Sequence, residues 1–135
     1  MEARSKAGPE KQKYLIDSDV LINHIHKKRD TLVKLIEKDN IEVSASVLNK
    51  IELYRGARNE KDKVIIDDLL RYFFIYEVEE LIADKVYELC SINKLGSLGP
   101  MDLMIAATCL VNNLVLVTHN LKHFSPVPEL KIYKE

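Results

Sequence analysis

Four acidic residues lie beside apolar segments, where carboxylates are less common than among polar neighbours. Asp17 and Asp19 follow the apolar run that begins at Tyr14. Glu52 lies between two large aliphatic residues, and Asp102 opens a long uncharged segment. Clustered carboxylates repel one another unless a cation joins them, and Mg²⁺ or Mn²⁺ prefers such oxygen ligands. If the chain brings these acids together, their chemistry is that of a metal site.

Apolar periodicity predicts the elements that position these acids. Strands are predicted over residues 14–17, 41–43, 73–78 and 114–118, with a further edge strand over 130–133. Helical spacing covers residues 20–25, 31–36, 47–54, 64–70, 81–95 and 102–111. This alternation predicts an α/β fold, an α/β/α sandwich around a central parallel sheet of four to five strands.

The strand ends gather several polar side chains at one edge of the predicted sheet. Ligands bind beyond the carboxyl ends of parallel strands, where Asp17, Thr118 and Asn120 fall. Glu52 alone is also explained by pairing with an arginine one turn later, and Asp102 alone by its place at a helix N-terminus. A shared edge with Asp17 favours a common site instead.

Composition restricts the function only weakly. The chain has 135 residues and a net charge of −1, from 20 basic and 21 acidic residues, so overall charge does not indicate nucleic acid. Residues 1–13 are predicted to be a flexible leader and residues 14–135 one domain. No apolar run is long enough to span a membrane, which predicts a cytoplasmic protein. Cys90 and Cys109 lie in apolar helical patterns and are predicted to be core residues.

Four motifs in order resemble those of the PIN-domain family. They are YLIDSDVLI at residues 14–22, VLNKIELYRG at 47–56, DLMIAAT at 102–108 and LVTHNLKHF at 116–124. The resemblance covers residues 14–126, and the chain length is most similar to VapC toxins of type II toxin–antitoxin systems. It implies an RNA-cutting enzyme that depends on Mg²⁺ or Mn²⁺, forms a homodimer and is inhibited by an antitoxin protein.

The resemblance also implies roles for individual residues. Asp17, Glu52 and Asp102 correspond to the family's metal-binding acids, and Asn120 to a fourth catalytic position where the family has Asp or Asn. His123 lies where many members have another acid, and Asp19 where Asn is common. Asp19 is either an added metal ligand or a loop cap.

Basic and apolar residues near these motifs are candidates for contacts with RNA or an antitoxin. Thr118 is predicted to position substrate, and Arg55 and Arg58 to contact RNA phosphates. Further candidates for phosphate contact are Lys27, Lys28, Arg29, Lys122 and His119. A groove for an antitoxin helix is one interpretation of Tyr54, Val64, Ile65, Leu69 and Leu70, but core packing is the favoured explanation for most of these positions.

Two alternatives remain from the residues alone. The Asp17-Ser-Asp19 segment and the strand ending in Thr118 resemble a haloacid-dehalogenase-like phosphatase, in which Asp17 would be the nucleophile. That family needs an acidic motif after the threonine strand, and no Asp follows Asp102. A catalytically inactive PIN-like scaffold that binds RNA or protein is the second alternative, since Asn120 lacks a charge.

Overall fold

A parallel four-stranded sheet forms the centre of the molecule. The structure is a computed structural model that describes residues 10–95 and 97–135. The strands are β1 (Gln12–Ile16), β2 (Ile41–Ser46), β3 (Phe74–Tyr76) and β4 (Val115–Val117). They are arranged in the order β3-β2-β1-β4, and every pair is parallel. The predicted central parallel sheet of four to five strands is therefore confirmed, with four strands.

Helices cover both faces of this sheet. In chain order they are α1 (Ser18–Ile25), α2 (Thr31–Ile36), α3 (Val47–Gly56), α4 (Glu60–Leu70), α5 (Glu80–Cys90), α6 (Pro100–Asn112) and α7 (Leu121–Phe124), with a 3₁₀ turn at Asn93–Leu95. In the described part of the chain, none of these helices is long and apolar enough to cross a bilayer.

Alternating side chains of the two central strands divide the core into two layers. Leu15 and its β4 partner Leu116 pack with one cluster that includes residues of α5 and α6. Ile16 and its partner Val117 pack with a second cluster built from α1, α2 and α4. Because successive strand residues point to opposite faces, both faces are apolar, which confirms the predicted α/β/α sandwich.

Local capping starts the helices that carry the acidic motifs. The side chain of Asp17 accepts a hydrogen bond from the N–H of Ser18 at the start of α1. Ser46 and Asn49 form a reciprocal capping box at the start of α3. Helix α6 begins with Pro100, whose fixed φ suits the first helical position. Each capped helix begins directly after the sheet or beside its carboxyl edge.

Several predicted boundaries differ from the structure. Strand β1 starts at Gln12, so the end of the predicted leader belongs to the sheet, while residues 1–9 lie outside the described residues. Helix α4 starts at Glu60 because Asn59 caps it, four residues before the apolar pattern begins. The predicted helix over 81–95 ends at Cys90 and continues only as the separate 3₁₀ turn.

Two further predictions are corrected. The edge strand predicted over residues 130–133 is a single parallel bridge between Leu116 and Ile132 rather than a strand. Cys90 is exposed at the end of α5, whereas Cys109 is buried as predicted. Leu89 is the buried residue of the last turn of α5, and Cys90, one position further round the helix, lies on its solvent side.

Candidate active site

Asp17 is the buried acid at the centre of the site. Its backbone N–H donates to the carbonyl of Val117 on the neighbouring strand, which fixes the end of β1. Its carboxylate accepts hydrogen bonds from the N–H of Ser18 and from Thr118 Oγ1, both at 2.9 Å. The residue is only 9% exposed. The predicted meeting of Asp17 and Thr118 at the carboxyl edge of the sheet is therefore seen in the structure.

The surroundings of Asp17 disfavour its negative charge. Burial, followed by the nearby charge of Asp19, raises its pKa from 3.8 to about 7, and Asp102 acts in the same direction. The hydrogen bonds from Thr118 and Ser18 lower the pKa but only partly offset these effects. A bound cation would reverse the balance, because an opposite charge favours the ionised form.

The loop after β4 holds a second acid close to Asp17. Asp19 accepts from the backbone N–H of His119 at 3.2 Å, so it ties α1 to this loop. Thr118 is buried, and its hydroxyl accepts from the N–H of Asn120 at 3.1 Å while donating to Asp17. The residue Asn120 itself is exposed. Of the residues predicted here, Thr118 thus contacts the central acid directly, and Asn120 reaches it only through that threonine.

Glu52 joins the site through a serine that the sequence analysis missed. Ser18 Oγ donates to Glu52 Oε1 at 2.5 Å and accepts from Asn49 Nδ2 at 2.9 Å. Asn49 is fully buried, and its Oδ1 accepts from the N–H of Ser46. A single asparagine within an otherwise apolar helix start, three residues after a capping serine, was the available signal for this network.

Asp102 lies in the first turn of α6 and is held by a histidine. Its Oδ2 is 2.6 Å from His123 Nε2, and both side chains are half-buried. Asp102 also contributes to the raised pKa of Asp17, which places the two carboxylates in electrostatic contact. The structure therefore gives His123 a partner, whereas the sequence assigned it no role.

The donor set fits a hard divalent cation in chemistry, although it is not preassembled. Within residues 10–95 and 97–135, no three Asp, Glu, His or Cys groups are arranged as a ready metal site. Asp102 is bound by His123 and Glu52 by Ser18, so each has a local partner in place of a shared centre. Mg²⁺ and Mn²⁺ nonetheless prefer oxygen donors, and the charge of such an ion would stabilise the ionised form of the buried Asp17 carboxyl group.

A groove of about 330 Å³ runs from Glu52 along α1, α3 and α4. Its apolar walls come from residues on all three helices: Ile22, Ile25, Leu53, Ile65 and Ile66. Polar lining residues are Glu52, His26, Arg58 and Asp62. Arg58 thus lines the same groove as one of the candidate acids, while Arg55 is exposed in the last turn of α3.

Most of the residues that the sequence offered for an antitoxin groove lie outside this one. Of the five residues proposed, only Ile65 lines it. Leu70 is buried in the core, and Tyr54 donates a hydrogen bond to Asp67 on the neighbouring helix α4. The groove uses α1, which the sequence pattern did not associate with α4.

Fold and site together define the class of protein: a parallel-sheet α/β/α domain that collects acidic side chains at the carboxyl edge of its sheet. The sequence pattern of the PIN domain matches residues 14–130. The chain therefore belongs to the PIN-domain family, and the phosphatase alternative is set aside.

Known proteins are similar over nearly the whole chain. Ribonuclease VapC1 of Methanocaldococcus jannaschii is 32% identical over 136 residues, covering 96% of this chain and 93% of that protein. A chain of VapBC2 from Rickettsia felis, bound to a DNA fragment from its promoter, superposes with a TM-score of 0.81 at 23% identity, covering 90% and 98% of the two chains. A chain of a toxin–antitoxin complex from Klebsiella pneumoniae gives a TM-score of 0.72 at 24% identity, covering 90% and 99%.

Proposed function

We propose that this protein is a metal-dependent endoribonuclease that hydrolyses RNA phosphodiester bonds as the toxin of a toxin–antitoxin pair. The observation that carries the proposal is the buried Asp17 carboxylate, whose pKa is raised to about 7 beside two further acids. A carboxylate whose negative charge is disfavoured in this way is stabilised strongly by a bound cation. The likeness to a protein named ribonuclease supports the reaction class, and the likeness to a toxin–antitoxin complex supports the biological role.

Asp17, Asp102 and Glu52 would hold Mg²⁺ or Mn²⁺. The ion would supply Lewis acidity, lowering the pKa of water and neutralising charge that develops on phosphoryl oxygens. Thr118 fixes the Asp17 carboxylate by donating to its Oδ2. Ser18 in turn holds Glu52 through Oε1, so the other carboxylate oxygen of Glu52 is available to orient the attacking water.

Substrate contacts are proposed on the groove side of the acids. Arg58 lines the groove with Glu52, and Arg55 follows Glu52 on the same helix. Positive charge beside an acidic centre would bind the phosphates that flank the scissile bond and offset their repulsion from the carboxylates. Asn120 would contribute a neutral amide from the opposite loop.

The groove itself is proposed as the antitoxin site. Its apolar residues come from three helices, which gives a surface suited to the apolar face of a partner helix. A segment bound there would lie against Glu52 and block access to the acids. An RNA substrate agrees with a cytoplasmic location, and the homodimer remains a prediction from family resemblance.

An RNA cleavage assay with and without Mn²⁺ tests the proposal. Wild-type protein should cut RNA only with the metal and leave 5′-phosphate ends, and Asp102→Asn should abolish cutting. Asp68→Asn is the matched control, because Asp68 is an exposed helical acid paired with Arg71. Cleavage that persists in chelator, or equally in Asp102→Asn, would contradict the proposed site. If no RNA is cut and Mn²⁺ gives no saturable thermal stabilisation, the inactive scaffold is the correct interpretation.

A further inference from the structure

The loop between α1 and α2 has an unusual backbone conformation for its sequence. Helix α1 ends in a Schellman motif, in which Lys28 N–H donates to the Asn23 carbonyl at 2.8 Å and Lys27 N–H donates to the His24 carbonyl at 3.0 Å. The residue between helix and loop in this motif is left-handed, and Lys27 has φ of 58°. Glycine is the common residue at this position because a side chain there is strained. Lys27 thus occupies a position at which the backbone conformation favours glycine.

This loop also carries two lysines that form no ion pair within residues 10–95 and 97–135. Lys27 and Lys28 are both exposed. The ion pairs found in the described part of the chain include the next basic residue, Arg29 with Glu135, but neither of these lysines. The loop borders a shallow concavity of about 750 Å³ that His24 also lines. Lys27, Lys28 and Arg29 outnumber the two acids that line it, Asp30 and Glu135, so in a chain with net charge −1 this is a local basic surface.

Both ends of the loop are fixed to the edge of the sheet that carries the acids. Asn23 on α1 donates from Nδ2 to His119 Nδ1 at 2.8 Å, so His119 Nε2 carries the proton and donates to Thr31 Oγ1 at 3.0 Å. The backbone N–H of His119 donates to Asp19 beside Asp17. One histidine thus connects α1, α2 and the acidic site.

This geometry gives a structural role to His119, which the sequence offered as a candidate for phosphate contact. Both of its ring nitrogens are used within the protein, so the ring positions neighbouring elements instead. Thr31 passes the network on by donating to Glu135 Oε1, and Arg29 pairs with the other oxygen of that carboxylate at 2.8 Å. Arg29 is therefore also held in place, which leaves Lys27 and Lys28 as the available cations of the loop.

We propose that Lys27 and Lys28 form a phosphate-binding site for the flank of an RNA strand whose scissile bond lies at the acidic site. Eight residues of α1 separate Asp17 from the loop, a helix length of roughly 12 Å, so one short strand can contact both. Since the His119 network fixes the loop relative to Asp19, the distance between the two sites is set by the fold. This inference rests on the proposed function for its choice of RNA.

The test measures stability, RNA binding and cleavage on the same variants. Lys27→Gly should raise Tm by about 2–5 °C, because it relieves the left-handed residue. The same variant, and Lys28→Ala, should weaken binding of a fluorescently labelled single-stranded RNA several-fold. Each should reduce the slope of log affinity against log salt by about 0.7, the value for one phosphate contact on a single strand. In Mn²⁺ both should raise KM while leaving kcat nearly unchanged.

Lys11→Ala is the matched control, since Lys11 is an exposed lysine at the opposite, amino-terminal end of the sheet. It should leave RNA affinity, the salt slope and KM at wild-type values. Loop variants that bind RNA like the wild type, or a control that loses as much affinity as they do, would overturn the proposal. If the wild type cuts RNA but the loop variants are unaffected, the proposed function stands alone. If the loop variants weaken RNA binding but no cutting occurs, the loop site stands and the proposed activity fails.

Discussion

Replacing Asp17 with asparagine should stabilise the metal-free protein. The native pKa of about 7 lies about three units above the ordinary value of 3.8, because burial and neighbouring acids disfavour the charge. The native state therefore binds more protons than the unfolded state between these two pH values, and stability falls as pH rises through that window. Above pH 7 the full penalty applies, which is about 4 kcal/mol at 1.36 kcal/mol per unit. Asp17→Asn removes it because the amide is neutral.

The stabilisation should appear only where the carboxylate is ionised in the unfolded chain. With chelator present, the difference in free energy of unfolding between Asp17→Asn and wild type should be near zero below pH 4. It should grow to roughly 4 kcal/mol above pH 7, equivalent to a Tm increase on the order of 10 °C. Denaturant titrations at pH 4, 6 and 8 measure this difference. Asn can keep the hydrogen bond from Ser18, since its side-chain oxygen is still an acceptor.

Adding Mn²⁺ should reverse the order of stability. Metal binding stabilises the wild type by RT ln(1 + [Mn²⁺]/Kd), whereas Asp17→Asn would lack one of the proposed ligands. Asp68→Asn, at an exposed surface acid, should behave as the wild type in both conditions. A difference between Asp17→Asn and wild type that does not change with pH would refute the reasoning. A variant less stable than wild type at pH 8 in chelator would refute it as well.

Two further substitutions test the network and the groove. Ser18→Ala removes the acceptor of the fully buried Asn49 amide, so the free energy of unfolding should fall by about 1–3 kcal/mol and cleavage should decrease. Denaturant titration and the cleavage assay measure the two effects, and an unchanged stability would mean that Asn49 finds another partner. Ile65→Asn replaces an apolar groove residue with a neutral polar one and should weaken antitoxin binding at least tenfold in calorimetry, with cleavage by the free protein retained. Leu81→Asn, on an exposed position of α5, is its control and should bind the antitoxin as the wild type does.

The polar residues at the strand ends could be predicted from two rules: a buried strand is an apolar run, and parallel strands end at the same edge of the sheet. Leu15 and Ile16 form a short apolar run, so its polar successor Asp17 had to lie at the carboxyl edge of the sheet. Thr118 follows β4 in the same way. Parallel strands bring such ends together whatever the details of packing, and the structure indeed joins Asp17 and Thr118 by a hydrogen bond.

Contacts between distant polar residues could not be predicted in the same way. Ser18 bonds with Asn49, and His119 with Asn23, across sequence separations of 31 and 96 residues. Their partners depend on how α1 is oriented against α3 and on the loop after β4. Hydrophobic periodicity shows which face of a helix is buried. It does not give the rotation and tilt of the helix accurately enough to predict individual hydrogen bonds. His119 was accordingly a candidate for phosphate contact, although both of its ring nitrogens form hydrogen bonds within the protein.

Helix α1 explains how one short element can serve both the acidic and the basic site. Asp17 and Asp19 lie at its N-terminus, where the helix macrodipole favours negative charge, and Lys27 and Lys28 follow its C-terminus, where it favours positive charge. The same distribution that suits the helix would separate the proposed metal site from the proposed phosphate site by the length of the helix. Hydrogen bonds at Asp19 and at Asn23 tie α1 to the loop after β4 and hold the helix against the sheet. If both proposed sites bind as expected, this fixed separation would orient an RNA strand without any net positive charge on the protein.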